Sequence, residues 1–266
     1  MNIREMRIDI LKMGLAAKSA GAHIGGSLSL VEIMAALYGK VMTFDPANPQ
    51  LETRDRLVFS KGHGVMAQYV ALKQVGVLTE EDLLSYKATG SVVSAHPSVH
   101  QTRLGVEFAS GSLGQGLSQG VGVALALRRK QNESSRVFVI LGDGECDEGS
   151  VWEAAAAAAH YRLNNLIAII DQNQLQYDGP TGQILDLMDL ESKWKSFGWD
   201  AVSVDGHNVD AVAAACNASK GRPLAVVAKT IKGKGVSFME NIASWHHGIV
   251  TQKIYDQAMA ELEALA

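Results

Sequence analysis

Three stretches of this chain are apolar without a polar break: Val137-Phe138-Val139-Ile140-Leu141, Leu166-Ile167-Ala168-Ile169-Ile170 and Leu224-Ala225-Val226-Val227-Ala228. A strand with one wet face alternates apolar and polar residues. A strand that is apolar at every position is buried on both faces, the habit of a parallel sheet covered by helices. Arg56-Leu57-Val58-Phe59-Ser60 and Ala201-Val202-Ser203-Val204 extend the series. Between these runs lie segments with helical spacing. Met6, Ile10, Met13 and Ala17 share one face of a helix over 5–20, and further helices are predicted over Leu28–Tyr38, Gly64–Leu72, Leu113–Arg129 and Trp152–Tyr161. The alternation predicts an α/β fold with one parallel sheet and helices on both faces. No repeat, low-complexity tract or linker interrupts it, so a single domain over 1–266 is expected.

Composition narrows the function classes. At 47% hydrophobic and 20% charged residues the chain has the make-up of an ordinary globular protein. A net charge of −4 gives no electrostatic reason for a nucleic-acid partner. The start carries Glu5 and Asp9 and lacks the long apolar core of a signal peptide. No stretch is expected to reach the roughly 18 apolar residues of a spanning helix, so no membrane association is predicted. Cys146 and Cys216 are too few for a disulfide framework or a zinc cluster, and a reduced, cytoplasmic setting is the expectation.

The chemistry-bearing residues sit where the predicted strands end. Gly142-Asp143-Gly144 follows the 136–141 strand, which puts Asp143 at the carboxyl edge of the sheet, where open α/β folds bind ligands. Its flanking glycines let backbone approach an anion closely. Asn173 follows the next apolar run in Asp171-Gln172-Asn173-Gln174-Leu175. If those strands are neighbours, a carboxylate, an amide oxygen and a backbone carbonyl share one crevice, a suitable hard-oxygen shell for Mg²⁺. Taken alone, Gly142-Asp143-Gly144 reads more readily as a strand-end turn, and it is the Asn at a second strand end that favours the site. His23, His63, His96 and the pair His246-His247 all lie in loops rich in Gly, Pro or Ser. Imidazoles converging on a cleft can bind hydroxyls and phosphate and exchange protons near neutral pH. They lack the i, i+4 spacing or CxxC companions of a zinc site. The basic glycine loop Lys229–Gly235 fits either a phosphate contact or a solvated turn. Glu145, Asp147 and Glu148 would repel a diphosphate beside Asp143, so some are expected to point away, into an interface.

The order of these motifs resembles the N-terminal segment of transketolases. The resemblance spans nearly the whole chain: His23 in a glycine loop, Ser60-Lys61-Gly62-His63-Gly64, His96-Pro97, Gly105-Val106-Glu107, Gly111-Ser112-Leu113-Gly114-Gln115-Gly116, Gly142-Asp143-Gly144 with Glu148-Gly149, Asn173, and His247-Gly248. It implies a thiamine diphosphate-binding fold of the diphosphate-binding type. Asp143, Asn173 and the Leu175 carbonyl would hold Mg²⁺ or Ca²⁺, and Gly144 would meet the diphosphate, with His63 and His247 nearby. Gly111, Ser112 and Leu113 would meet the aminopyrimidine. His23, His96 and His247 would line the substrate channel, bind donor hydroxyls and assist proton transfer, and Glu148 would lie in a subunit interface.

The chain departs from the family's pattern in places. His23-Ile24-Gly25 stands where His-Pro-Gly is usual, Gly111-Ser112-Leu113 where Gly-Pro-Leu is usual, and Tyr177 replaces an aliphatic residue. A transketolase also continues into a second domain with the glutamate that activates the cofactor. Here Tyr255–Ala266 reads as a closing helix, so a separate C-terminal subunit carrying the pyrimidine-binding domain and that glutamate is expected. Sugar phosphates are the implied substrates and a heterotetramer the implied assembly. Three other readings stand beside this one: a subunit of another thiamine diphosphate enzyme, of the 2-oxo acid dehydrogenase E1 or deoxyxylulose phosphate synthase type; a non-catalytic cofactor-binding subunit; and a metal hydrolase using Asp143 and the histidines, which the absent ligand spacing disfavours.

Overall fold

The structure, a computed structural model, describes residues 1–132 and 134–264. Five strands form the sheet: β1 (Arg56–Phe59), β2 (Val137–Gly142), β3 (Leu166–Gln172), β4 (Asp200–Asp205) and β5 (Leu224–Lys229). They are all parallel, in the order β1-β2-β3-β5-β4. The first half of the helices is α1 (Ile3–Ala16), α2 (Ile24–Leu28), α3 (Val31–Ala36), α4 (Met66–Gln74), α5 (Glu80–Leu84) and α6 (Gly116–Arg129). The second half is α7 (Gly149–His160), α8 (Thr181–Ile184), α9 (Leu190–Ser196), α10 (Val209–Ala215) and α11 (Gln252–Ala264).

Period-two alternation along the strands sorts their side chains into two core layers. Leu57, Phe59, Phe138, Ile140, Ile167, Ile169 and Val226 face the layer built with α1 to α4, α10 and α11. Val58, Val137, Val139, Leu141, Ala168, Ile170 and Val227 face the layer built with α6, α7 and α9. This is why each strand reads as apolar throughout. On the second face α6 comes unusually close to the sheet, since a Cβ added at Gly120 would lie 2.5 Å from Val139. The small residues Ala154, Ala155 and Ala158 of α7 are buried in the same layer.

Two expectations change. The helix predicted over Leu28–Tyr38 is interrupted: α2 ends at Leu28, α3 begins at Val31, and Leu37–Val41 winds into a π-type turn. At the break the Ser29 hydroxyl donates to Gly26 O and, at 2.6 Å, to Asp171, drawing that turn onto the sheet edge. The second change concerns the same region. Ile24–Val41 is 18 residues long with mean hydropathy 1.3, long and apolar enough by those measures to cross a membrane, contrary to the expectation that no such stretch occurs. Of that stretch 83% is buried in the protein's own core, where an apolar helix all round is what packing requires.

Candidate functional site

All strands being parallel, the loops after β1, β2, β3 and β5 gather at one edge of the sheet. They enclose a cavity of about 320 Å³. Its wall includes Lys61 and His63 from the β1 loop, Asp143, Gly144 and Glu145 from the β2 loop, and Asn173, Leu175, Gln176 and Tyr177 from the β3 loop. Lys232 arrives from the β5 loop, Gly111 and Leu113 from the segment before α6, and His23, His96 and His246 from three further loops.

β2 and β3 are paired, with Gly142 opposite Asp171, so Asp143 and Asn173 line the same cavity as expected. Both are 5% exposed. Asp143 accepts from the Gly144 N–H at 2.9 Å and the Gln174 N–H at 2.6 Å. Burial, reinforced by the neighbouring Asp171 charge, holds its carboxyl above the ordinary range. The orientation of Asn173 is set from below: its Nδ2 donates to Asp171 at 3.1 Å, while its Oδ1 accepts the Leu175 N–H at 3.1 Å. Asp171 is fully buried and also takes Lys61, Ser29 and Thr230. Burial alone would raise its pKa, but the ammonium of Lys61 and the hydroxyls keep it below the ordinary carboxylate value.

The acidic cluster resolves by direction. Glu145 turns inward, accepting from Ser60, from Gly114 N–H at 2.8 Å and from Gly142 N–H at 3.1 Å. It thereby ties β1, β2 and the segment before α6 into one frame. Asp147 takes Gln176 Nε2 at 2.7 Å, and Glu148 is exposed.

The imidazoles pack as a cluster around His23, whose ring lies 5.5 Å from His63, 5.6 Å from His96, 5.6 Å from His246 and 4.7 Å from His247. A bridge between Ala22 and Gly248 locks the two loops together. Gly21 permits it, with φ of +58° and no room for a Cβ, which would sit 2.7 Å from the His247 ring. Burial, then the neighbouring His247, His246 and His96, pushes His23 down to about 3. Burial and Lys232 push His246 down to about 3, and burial with Lys61 holds His63 well below its ordinary value. Burial thus favours the neutral ring in this cluster. Neutral rings remain donors and acceptors, and the buried Nδ1 of His23 has no partner.

Not every predicted residue reaches the wall. Ser112 is exposed outside the cavity, and His247 is exposed and stacks edge-on against His23, leaving the wall position to its neighbour His246. Lys232, in the loop that fitted either phosphate contact or solvated turn, is 2% exposed. Its Nζ donates to Leu175 O at 2.8 Å and faces His246 Nδ1 at 3.0 Å. Burial, then the charge of Lys61, brings it down to about 8. Sequence reasoning also missed Lys61, Asp171, Glu145 and Gln176. One signal was there to find: Asp171 is a carboxylate closing an otherwise apolar strand.

A parallel α/β sheet whose carboxyl edge gathers a buried carboxylate–amide pair, two lysines and a histidine cluster around one cavity has the place and the charges that α/β folds use to bind an anionic ligand. The sequence matches the family described as transketolase, thiamine diphosphate binding domain, over residues 2–259, and the chain belongs to that family. It is 44% identical over 244 residues to a 6-deoxy-6-sulfo-D-fructose transketolase subunit of Clostridium sp. strain MSTE9, covering 91% of this chain and 88% of that one. It is 40% identical to one of the subunits of an apulose-4-phosphate transketolase from Phocaeicola vulgatus, covering 92% and 87%. Among solved structures a transketolase variant from Pichia stipitis superposes with a TM-score of 0.89 at 31% identity, covering 98% of this chain and 40% of the longer one.

Proposed function

We propose that the chain, as one domain, is the diphosphate- and metal-binding subunit of a two-chain transketolase that moves a two-carbon ketol unit from an anionic ketose to an aldose. The observation that carries this reading is the meeting of Asp143, Asn173, Lys232 and the histidine cluster in one cavity at the sheet's carboxyl edge. Both named relatives are transketolase subunits of nearly this length, which supports a partner chain. Their stated substrates carry a sulfonate or a phosphate, which supports a ketose with an anionic tail.

The residues fit the cofactor. Asp143 is buried beside a second carboxylate, and a divalent cation would relieve that repulsion. No three His, Cys, Asp or Glu side chains converge as a metal cage among the described residues. The shell would instead combine the Asp143 carboxylate, Asn173 Oδ1 and the Leu175 carbonyl, which keeps a lone pair beside Lys232. At Gly144 a Cβ would lie 2.6 Å from Gln176, so only glycine leaves backbone open to a diphosphate.

When bound, thiamine diphosphate supplies the carbanion chemistry of ketol transfer. Lys232 offsets diphosphate charge, and His63 lines the same cavity. Gly111 to Leu113 offers backbone to the aminopyrimidine. His23, His96 and His247 bind donor hydroxyls as neutral imidazoles, the unpartnered Nδ1 of His23 being the free site for one. The partner would supply the pyrimidine-binding half and the activating glutamate, in an assembly of two chains of each kind. Exposed Tyr177 on the cavity wall, with exposed Ile184, Leu185 and Met188 further along the same segment, is the apolar surface offered to it.

The test mixes this chain with the product of the neighbouring gene, thiamine diphosphate and Mg²⁺. Ketol transfer by the pair and none by this chain alone is expected. Transfer by the isolated chain would contradict the two-chain reading, and decarboxylation of a 2-oxo acid by the pair would favour the E1 type.

A further inference from the structure

The backbone on either side of Lys232 is held from behind. The Ile231 N–H donates to His207 Nε2 at 2.8 Å, and the Lys234 carbonyl accepts Arg7 Nε at 2.9 Å. Both holders converge on one carboxylate. Glu32 takes Arg7 Nη2 at 2.5 Å on one oxygen and His207 Nδ1 at 3.0 Å on the other. Since Nε2 of His207 accepts a backbone N–H, the ring is neutral with its proton on Nδ1, the tautomer that Glu32 selects. These side chains come from α1, α3 and the loop after β4, none of which lines the cavity.

The group is an unexplained cost to the fold. Arg7 and Glu32 side chains are 8% and 7% exposed and His207 is 14% exposed, and a buried ion pair of this kind stabilises little against an apolar replacement. The loop is also shaped to it: Gly235 has φ of +93°, and a Cβ there would lie 2.4 Å from Arg7 Nε.

We infer that Glu32, His207 and Arg7 form a latch that fixes the 231–234 backbone and so positions Lys232 for the diphosphate. This rests on the reading of Lys232 as a diphosphate contact. His207 is a positioning residue: it acts on cofactor binding through Lys232 and not by touching the cofactor. Other bonds also restrain the segment, Gly233 N–H to Gly25 O at 2.9 Å and Asn241 N–H to Lys232 O at 2.9 Å, so loss of the latch loosens the lysine without releasing it.

The test is a double-mutant cycle read by calorimetric titration of thiamine diphosphate, with Mg²⁺, into the full chain together with its partner. His207→Leu is expected to weaken binding about tenfold, the scale of removing one hydrogen bond to a charged group. His207→Gln, whose amide oxygen can accept the Ile231 N–H, is expected to restore most of the affinity. His207→Leu added to Lys232→Met is expected to weaken binding no further than Lys232→Met alone. Additive losses in the double variant, or wild-type affinity in His207→Leu, overturn the latch. Should His207→Leu not fold, Glu32→Gln carries the same cycle. Hydrogen exchange over 231–235 in the cofactor-free chain gives a readout independent of the cofactor: faster exchange in His207→Leu supports the latch, and unchanged exchange overturns it. If the wild type binds no thiamine diphosphate, the proposed function fails while this exchange measurement still decides the latch.

Discussion

Two lysines of equal burial meet the same cavity and are treated in opposite ways. Lys61 and Lys232 are each 2% exposed. Lys61 is paired with Asp171, which Ser29, Thr230 and Asn173 also hold, so the charge at the β1–β3 side is neutralised within the fold. Lys232, at the β5 side, has carbonyls and an imidazole around it and no carboxylate partner among the described residues. Its pKa falls to about 8 because burial is not compensated. The first region uses its charges for its own rigidity. The second leaves a cation without a counter-charge in the fold, and on that asymmetry rests the proposal that Lys232, and not Lys61, meets the diphosphate.

The contrast between the two lysines is most vulnerable at its scaffold end. Lys61→Met leaves Asp171 buried without its cation, and should cost about 3–5 kcal/mol of unfolding free energy in denaturant titrations. A cost below about 1 kcal/mol would mean the pair is not a fixed element of the fold. Lys232→Met should do the reverse, raising stability by about 1 kcal/mol while weakening diphosphate binding, the trade-off expected of a charge kept for function. The sign with pH follows from linkage. Lys232 sheds its proton near 8 when folded and near the ordinary lysine value of 10.5 when unfolded, so over that window the unfolded chain binds more protons. Its contribution to stability therefore rises with pH between those values, and Lys232→Met should flatten that slope.

The histidines act only in acid. His23 and His246 fall to about 3 when folded, against 6.5 when free. The unfolded chain therefore takes up protons first as pH drops, and stability is lost progressively below 6.5. Replacing both with Gln should shallow that loss without changing stability at pH values well above the histidine range. Ring protons of these two histidines that titrate near 6.5 in the folded chain would contradict it.

The strands, their parallel pairing and the Asp143–Asn173 meeting were legible because each depends on local pattern: an apolar run and a polar residue at its end. Lys232 was not, because its burial depends on the conformation of Lys229–Gly235. Gly233 and Gly235 sit at φ of +80° and +93°, folding a segment that reads as a charged turn back into the protein. Gly25, in α2, leaves room, since a Cβ there would meet Lys232 Cγ at 3.1 Å. The glycines are visible in the segment but not the direction in which they fold it, and Gly25 lies outside it. The choice between His246 and His247 was hidden for a similar reason. The chain passes from a short turn into extended backbone between them, so neighbouring rings diverge and only one faces the cavity. The interruption of the second helix was invisible because its cause, the Ser29–Asp171 bond, spans more than a hundred residues.

Everything proposed for the cavity depends on Asp143 anchoring a metal-bridged diphosphate, and Asp143→Ala probes that anchoring without an intermediary. Thiamine diphosphate is titrated into the wild-type and mutant chains with the partner present, with Mg²⁺ and with a chelator. Wild-type binding should depend on Mg²⁺, and the mutant should lose about a hundredfold or more in affinity, near what the chelator does to the wild type. Wild-type affinity in Asp143→Ala, with its dependence on Mg²⁺ intact, would show that the metal and the diphosphate are held elsewhere.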